Sequence, residues 1–495
     1  MKTALIAITL CLSAGLVAAG TINVPADKST IQAAVDAAVT GDTVLVAPGL
    51  YYENITLRGQ DIVLASRFIQ TADPTDIDAT IIDGSHLTQG DSLGSVISIL
   101  SGETIATRII GFTIQGGIGT KSKGEYNTIG RRGAGILIEH ASATVASNVF
   151  TRNTLYGNYC QGAGISIKWS NSIVWNNRFV ENSIDGINYS RGAAVYLELT
   201  TSTVVAHNMM TRNTGEVVTL LDATGTIDSN QIYQNTGIAI FMSNPVTPPV
   251  TIRRNDIRNN TGVGIYANYI DFLAEGNVLA GNAGGVECRA CGADLRSNTV
   301  ADNHSPQPGG GFYKYWDQTD VNLAYNIFWN NSSVGGGPEL YFQENAAVTA
   351  NANDVRYGQD SVFTGPGVTL NWSTANISLD PMFCNDSAGD YTISAKSPCV
   401  PASDSAMLIG ALGIGCGQLC GDLNSDGQVD RDDLMEYIAY YFLFSGKSAD
   451  YATMDLDCDG KLGLADICKL AAFVNMLIPS PCCGAGEMGS FNWTN

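Results

Sequence analysis

Short apolar strands, separated by polar corners rich in Asn and Gly, fill the middle of this 495-residue chain. Between them one pattern recurs: Asn, any residue, an apolar residue, two more residues, then Asn. It reads NVFTRN from Asn148, NRFVEN from Asn177, NMMTRN from Asn208 and NQIYQN from Asn230, and continues as NDIRNN from Asn255, NVLAGN from Asn277, NTVADN from Asn298 and NIFWNN from Asn326. Most copies are followed by a Gly-rich step into an alternating strand, such as GAGILIE at Gly133, GAGISIK at Gly162 and GVGIYAN at Gly262. The shortest repeats are 21 and 22 residues apart. Two-residue alternation at that period, without helical segments between strands, predicts one turn of a solenoid per repeat. No single turn buries its apolar face alone, so turns stack and their inward residues form one continuous core. The Asn side chains are expected to stack coil on coil and bond the backbone where it bends, and Gly to supply positive φ at the corners. Leucine-rich repeats share the period but need a Leu-x-x-Leu-x-Leu frame, absent here, and propeller blades are longer. The prediction is an all-β, single-stranded parallel β-helix.

A bare end of such a solenoid exposes strand edges and core, so both ends need covers. In TIQAAVDAAVTGDTVLVAPGLYYENI, Thr30 stands at an N-cap, Ile31, Val35 and Ala38 share one helical face, and Val44–Val46 opens the first strand. This stretch resembles the N-terminal cap of secreted pectate-lyase-like β-helix proteins. Toward the other end, IFWNNSSVGGGPELYF, ISLDPMFCNDSAGDYTISAKSPCV and IGALG resemble the closing coils of bacterial extracellular β-helix proteins. The resemblance spans about Gly20 to Gly415 and implies a right-handed winding. It specifies a fold, not a reaction.

Composition narrows the partners. The chain carries 26 basic and 47 acidic residues, a formal charge of −21. A phosphate backbone demands clustered Lys and Arg, so nucleic acid is excluded as a partner. The first residues, MKTALIAITLCLSAGLVAAG, combine Lys2, a short apolar run and small residues before a break. They predict a signal peptide over 1–19, hence a secreted or surface-attached protein with no membrane span. Of twelve cysteines, Cys11 falls in that signal; Cys384 and Cys399 bracket the end of the repeats, Cys288 and Cys291 form a CxxC, Cys160 is alone, and six crowd residues 416–483. Such density in an exported chain predicts disulfides, with an odd thiol left over.

The predicted domains are therefore 20–415, the β-helix; 416–483, a small helical module; and 484–495, a tail. In GDLNSDGQVDRDD, Asp422, Asn424, Asp426, Gln428, Asp430 and Asp433 occupy positions 1, 3, 5, 7, 9 and 12 of a calcium loop, with Gly427 at the sharp bend. MDLDCDGKLGLAD repeats the scheme with Asp455, Asp457, Asp459, Lys461 and Asp466, Gly463 leaving position 9 to water. Gln428 and Lys461 would contribute backbone carbonyls. A hard cation wants six or more oxygens about one centre, and this spacing supplies them twice, so two calcium ions are expected. Each loop precedes an apolar helix, but Asp rather than Glu closes it and no entering helix precedes the first. With these features the segment resembles a dockerin. That resemblance implies a cohesin-like partner protein, contacted at loop positions 10 and 11: Arg431 and Asp432, Leu464 and Ala465. The Ser-Thr pair common there is missing, which leaves the identity of the partner open.

For the β-helix, the signatures of polygalacturonases and pectin methylesterases are absent, as is the acidic cluster of pectate lyases. His86, His140, His207 and His304 are scattered and read as turn or surface residues. One feature remains. Repeats near residues 116–192 are longer, at 29 and 31 residues, with insertions before the Gly step. These are expected to be loops lying side by side as the wall of a groove, holding Lys121, Lys123, Arg131, Arg132 and Arg191 with Tyr126, Tyr156, Tyr159 and Tyr189. Cations among aromatic platforms suit an acidic polysaccharide, by ion pairing and ring stacking. The expected function is a carbohydrate-active or carbohydrate-binding protein, a polysaccharide lyase or glycoside hydrolase if an enzyme. The competing class is a non-catalytic surface, adhesin or spacer protein.

Overall fold

In each repeat the residue before either Asn turns the chain through the left-handed region, as Ser147 (φ 55°) and Arg152 (φ 52°) do. Asn, small and able both to donate and to accept, then meets the backbone polar groups that such a corner strands away from water. Short strands joined by these corners wind into a parallel β-helix. The computed structural model describes residues 19–416 except 88–91, 124–128, 245–246, 317–318 and 402–406, and beyond them 431, 434–435, 437–438, 456 and 464–474.

Among the described residues, fourteen strands form the first sheet, from Thr21–Val24 to Thr369–Trp372. Twelve form the second, from Gly49–Tyr51 to Asp354–Val355, and twelve the third, from Ile55–Thr56 to Val362–Thr364. Neighbouring coils pair in parallel and in register, so equivalent side chains form columns. Inside the first sheet Val145, Val174, Val205, Ile227 and Ile252 align; inside the second, Phe150 and Phe179 stack with ring centres 4.8 Å apart. These inward residues belong to one continuous buried core.

Both asparagines of the motif form ladders. The first runs from Asn148 through Asn177, Asn208, Asn230, Asn255, Asn277, Asn298, Asn326 and Asn353 to Asn376. The second runs from Asn153 through Asn182, Asn213, Asn235, Asn260, Asn282 and Asn303 to Asn331, and ends on Glu339. At Asn230, Nδ2 donates to the Val205 carbonyl (2.8 Å) and to Asn255 Oδ1 (3.0 Å), while Oδ1 accepts the Asn208 amide (2.9 Å) and Nδ2 (3.0 Å). Side chain and backbone of one coil are thus satisfied by the next.

The N-terminal cover is helix α1 (Ile31–Ala37), with Thr30 Oγ1 accepting the Ala33 amide and Ile31, Ala34 and Val35 buried. The Glu53 carboxylate accepts the Ile31 and Gln32 amides at 2.8 and 2.9 Å, supplying a second partner for the helix start. Helices α2 (Phe68–Thr71) and α3 (Thr75–Ala79) interrupt an early coil. At the far end, strands Phe383–Asn385, Asp390–Ser394 and Ile414–Cys416 form a small sheet closed by a Cys384–Cys416 disulfide. It packs on the outside of the second sheet, where Tyr391 joins Val278, Ala280 and Ala301 and donates to Asp302 Oδ2 at 2.8 Å.

Three expectations need correction. Glycine is not the general corner residue: both Asn corners use mostly non-glycine residues at positive φ, because Asn itself compensates the turn. Glycine is required at the step into the third sheet, where a Cβ on Gly162 (φ 75°) would meet the Ile165 carbonyl oxygen at 2.4 Å. The insertions near 116–192 are strands rather than loops, since their backbones pair with one another once stacked. Cys416, placed by sequence with the C-terminal module, bridges to Cys384, while Cys399 is buried and donates its thiol to Asp354 Oδ2 at 3.2 Å.

The ladder carries a stability prediction. Asn230→Leu strands the Asn208 amide, its Nδ2 and the Val205 carbonyl, and should destabilise the fold by about 3 kcal/mol. Gln231→Ala, at the adjacent exposed position, should change stability by less than about 0.5 kcal/mol. Parallel urea titrations of the two full-length variants measure the difference.

Candidate functional surface

Alternation decides which side chains leave the cylinder. In Val286–Arg289, Val286 and Cys288 point into the core, so Glu287 and Arg289 point out; in Phe312–Tyr315, Phe312 and Lys314 are buried, so Tyr313 and Tyr315 point out. Register then stacks the outward positions of the third sheet. Phe241, Tyr266, Glu287, Tyr313, Tyr341 and Phe363 form one column over six successive coils. Beside it run Ser243, Asn268, Arg289 and Tyr315.

Five of the six column positions are aromatic. Phe241 and Tyr266 stack at 5.4 Å, Tyr341 and Phe363 at 4.3 Å, and Tyr313 lies edge-on to Tyr341 at 5.3 Å. Tyr269 and Trp316, both nearly half exposed, stand at the neighbouring corner. Between them lies the Arg289 guanidinium, 4.0 Å from the Trp316 ring centre and 5.5 Å from that of Tyr269. The hydroxyls of Tyr266 and Tyr315 are 3.0 Å apart, although their strands lie on either side of Val286–Arg289. The phenol pair therefore spans the strand that carries Glu287.

Glu287 is 92% buried, and among the described residues no donor reaches its carboxylate. Burial pushes its carboxyl up to about 7. Two other buried carboxyls are raised likewise, but both are used by the fold. Glu339, also at about 7, accepts the Asn331 amide and Nδ2, and Asp354, at about 6, accepts the Leu379 amide and the Cys399 thiol.

The upstream half of the same face is walled by the inserted strands. Thr154–Gln161 and Ser183–Arg191 join Ile129–Arg132, Gly119–Lys123 and Leu93–Gly94 in a five-stranded sheet. Leu155, Cys160 and Ile184 give it a small core against Ala134, Ala163 and Ala193. The predicted cations of this wall are engaged within the protein. Arg132 pairs with Glu139 at 3.0 Å, Arg191 with Glu216 at 3.6 Å, and Arg131 Nη1 donates to the Gly119 carbonyl. On the sheet face itself, Gln161 Nε2 donates to Tyr196 Oη at 2.7 Å, Tyr196 to Glu198 at 3.1 Å, and Lys168 to Glu198 at 2.5 Å. Tyr156 projects with 69% exposure; Tyr159 lies on the same strand, and Lys121 two strands away across Ile129–Arg132. Tyr126 and the side chains of Lys123 and Tyr189 lie outside the described residues.

Of the predicted calcium module, Asp422, Asn424, Asp426, Gln428, Asp430, Asp432, Asp433, Asp455, Asp457, Asp459 and Lys461 lie outside the described residues. Helix α4 (Leu464–Val474) begins with Leu464 and Ala465, and Arg431 is exposed. Asp466, in the first turn of α4, is buried and its Oδ1 accepts the Leu456 amide at 2.7 Å. In the predicted second loop Asp466 is position 12 and Leu456 position 2, so this bond links two described residues of that segment.

The histidines serve as expected: His140 (φ 52°) and His207 (φ 56°) sit at corners, and His304 is exposed. Cys288 and Cys291 form a disulfide buried in the core, which removes them from solvent. Sequence reading missed the Tyr266–Glu287–Tyr313 column. Its signal was present in VECR and FYKY, where outward residues alternate with buried ones, but their alignment depends on register across coils of unequal length.

A family described as "Right handed beta helix region" matches residues 116–269, and the solenoid is a right-handed parallel β-helix. No curated protein matches the sequence. Among solved structures, the chain is similar to PfbA, a surface adhesin of Streptococcus pneumoniae, at 12% identity and a TM-score of 0.39, covering 70% of this chain and 85% of that one. It is also similar to the mannuronan C-5 epimerase AlgE6 A-module of Azotobacter vinelandii, at 12% identity and a TM-score of 0.32, over 71% and 94% of the two chains. A third is pectate lyase Pel9A, at 14% identity and a TM-score of 0.31, over 77% and 90%.

The raised carboxyls make stability depend on pH. A group whose folded value exceeds its unfolded one holds its proton more tightly when folded, so the fold loses stability as pH rises between the two values. For Glu287, Glu339 and Asp354 that window runs from the ordinary carboxylate range up to about 7. Thermal unfolding of the whole chain should therefore show a lower Tm at about pH 8 than at about pH 5. Glu287→Gln should recover part of the loss, on the order of 1–3 kcal/mol.

Proposed function

We propose that this is a secreted protein that binds acidic polysaccharide along the outer face of its third sheet and is anchored through a calcium-dependent, dockerin-like C-terminal module. The observation that carries the reading is the outward aromatic column of Tyr266, Tyr313, Tyr341 and Phe363, with Trp316 and the Arg289 guanidinium beside it. Successive rings repeat at the coil spacing of roughly 4.8 Å, giving a long strip of partly exposed apolar platforms instead of a closed pocket. A polymer presenting the faces of its sugar rings suits such a strip, and Arg289 supplies a cation for a uronate carboxylate. The inserted sheet walls the upstream part of this face, with Tyr156 exposed upon it, so a chain lying on the strip is bounded on one side. The paired state of Arg132 and Arg191 assigns the upstream cluster to holding that wall in place.

For the module, support comes from the two sequence loops and from the bond of Asp466 to the Leu456 amide. Calcium would be held by Asp422, Asn424, Asp426, Gln428, Asp430 and Asp433, and by Asp455, Asp457, Asp459, Lys461 and Asp466. Neutralising so many carboxylates lets the loops close and their helices pack. A cohesin-like partner would then meet Arg431, Asp432, Leu464 and Ala465.

Two outcomes test these halves separately. Tyr313→Ala and Trp316→Ala should each weaken binding of a short oligouronate about 10-fold in calorimetric titration; unchanged affinities would remove the strip from the binding surface. Chelation of calcium should lower the helical signal in circular dichroism and leave the β-signal intact, with Asp466→Ala blunting recovery on calcium addition. A helical signal indifferent to chelator would rule out the calcium module.

A further inference from the structure

The column of the third sheet is interrupted once, at Glu287. A buried carboxyl normally survives because donors satisfy it, as Asn331 does for Glu339. Glu287 has none among the described residues, lies 92% buried, and is surrounded by groups that offer no compensating charge. The neighbouring strands face it with Tyr266 and Asn268 on one side and Tyr313 and Tyr315 on the other, and Arg289 is two residues along its own strand. The Tyr266 and Tyr315 hydroxyls are occupied with each other across the strand. The Arg289 guanidinium is drawn instead between Trp316 and Tyr269, and its buried Nε has no hydrogen-bond partner. Asn268 Oδ1, the neighbour of Arg289 in the adjacent column, is likewise buried and without a partner. Two buried polar atoms without partners thus stand beside a carboxyl that no described donor reaches, in a protein whose ladders satisfy buried amides through seventeen coil-to-coil steps. Unmet donors and acceptors that converge on a surface are what a ligand completes.

The chemistry of the patch selects the ligand. A guanidinium with a spare N–H takes a carboxylate. An ionised Glu287 beside it would repel that carboxylate, whereas a protonated Glu287 would donate a hydrogen bond to it. Resting on the polysaccharide-binding reading above, we propose that Glu287, Arg289 and Asn268 form a subsite for one carboxylate-bearing sugar residue, filled only while Glu287 carries its proton. The sugar carboxylate accepts from Arg289 and from the Glu287 carboxyl, Asn268 lies beneath them in the adjacent coil, and Trp316 and Tyr313 flank the ring. The position of Glu287, whose proton is held by burial up to about pH 7, makes the subsite open in mildly acid conditions and closed in alkaline ones.

The test is calorimetric titration of the full-length, calcium-loaded protein with a short oligogalacturonate and with its methyl ester, at about pH 5.5 and about pH 8. The acidic ligand keeps its own carboxylates ionised across that range. Wild type should bind it at least 10-fold more weakly at the higher pH, while the ester, lacking the anion, should show no such dependence. Glu287→Gln, neutral at every pH and still a donor, should hold the acid-side affinity throughout, and Arg289→Ala should lose affinity for the acidic ligand at both pH values. If Glu287→Gln keeps the wild-type pH dependence, the subsite is wrong and the binding surface stands. If neither ligand binds wild type at either pH, the polysaccharide reading itself fails. Binding with Tyr313→Ala sensitivity but no pH dependence overturns the subsite alone.

Discussion

A solenoid of short strands bends its backbone several times per coil, and each bend buries amides and carbonyls that no sheet ladder can reach. Everything else in this protein depends on how that constraint is met. Two parallel asparagine ladders do so, each Oδ1 accepting from the coil before and each Nδ2 donating onward and back. Because the amide geometry tolerates little slippage, the ladders also lock register. Locked register turns a repetitive sequence into columns, and columns are what bring Tyr266, Glu287 and Tyr313, separated by more than twenty residues each, into one patch.

Where the ladders stop, the chemistry changes. The second ladder ends on Glu339, a carboxylate in the place of the next amide, and beside the first, next to Asn353, lies Asp354, which takes the Leu379 amide and the Cys399 thiol. Both carboxyls are raised by burial, and both are structural, because donors converge on them. The small disulfide-closed sheet sits near this end, with Arg258 bonded to the Gly389 carbonyl and stacked on Tyr391. It covers second-sheet positions such as Val278 and Ala301, which alternation turns outward although they are apolar. Among the described residues the outer surface is therefore divided: the second sheet is sealed late in the solenoid, and the third is not covered over the same coils.

Much of this was legible from the chain itself. The Asn pair announces both ladders because an invariant polar position inside an apolar rhythm has few uses other than a buried corner, and Thr30 with Ile31 and Val35 announces the cap. The corners misled where Gly was expected, since Ser147, Arg152 and their equivalents reach positive φ only because the following Asn compensates them. The insertions were half legible. Longer repeats at residues 148–208 correctly marked an addition to that face, but counting Arg131, Arg132 and Arg191 as free cations ignored Glu139 and Glu216, which only the folded register places beside them. The aromatic column was hidden for the same reason: residues equivalent in space lie 21 to 28 residues apart in sequence, at intervals that vary from coil to coil.

The contrast between the two halves of the third-sheet face follows from this. Upstream, the inserted strands bring glutamine, tyrosine, lysine, arginine and glutamate together until each has a partner, and Tyr196 is left with no exposure. A network of that kind fixes a wall, although Arg132 Nε, Arg191 Nη1 and Ser166 Oγ within it stay buried without hydrogen-bond partners. Downstream, among the described residues, no insertion covers the sheet, the aromatic side chains are partly open, and Arg289 Nε and Asn268 Oδ1 are buried without partners beside Glu287. An unpaired buried carboxyl costs the fold stability at neutral pH, a cost that nothing in the packing of Val286 or Cys288 requires. A glutamine at the same place would preserve the packing and remove the cost. The proposed carboxylate-bearing ligand, meeting Glu287 from outside, would give the glutamate a use that glutamine lacks: a proton to release with pH.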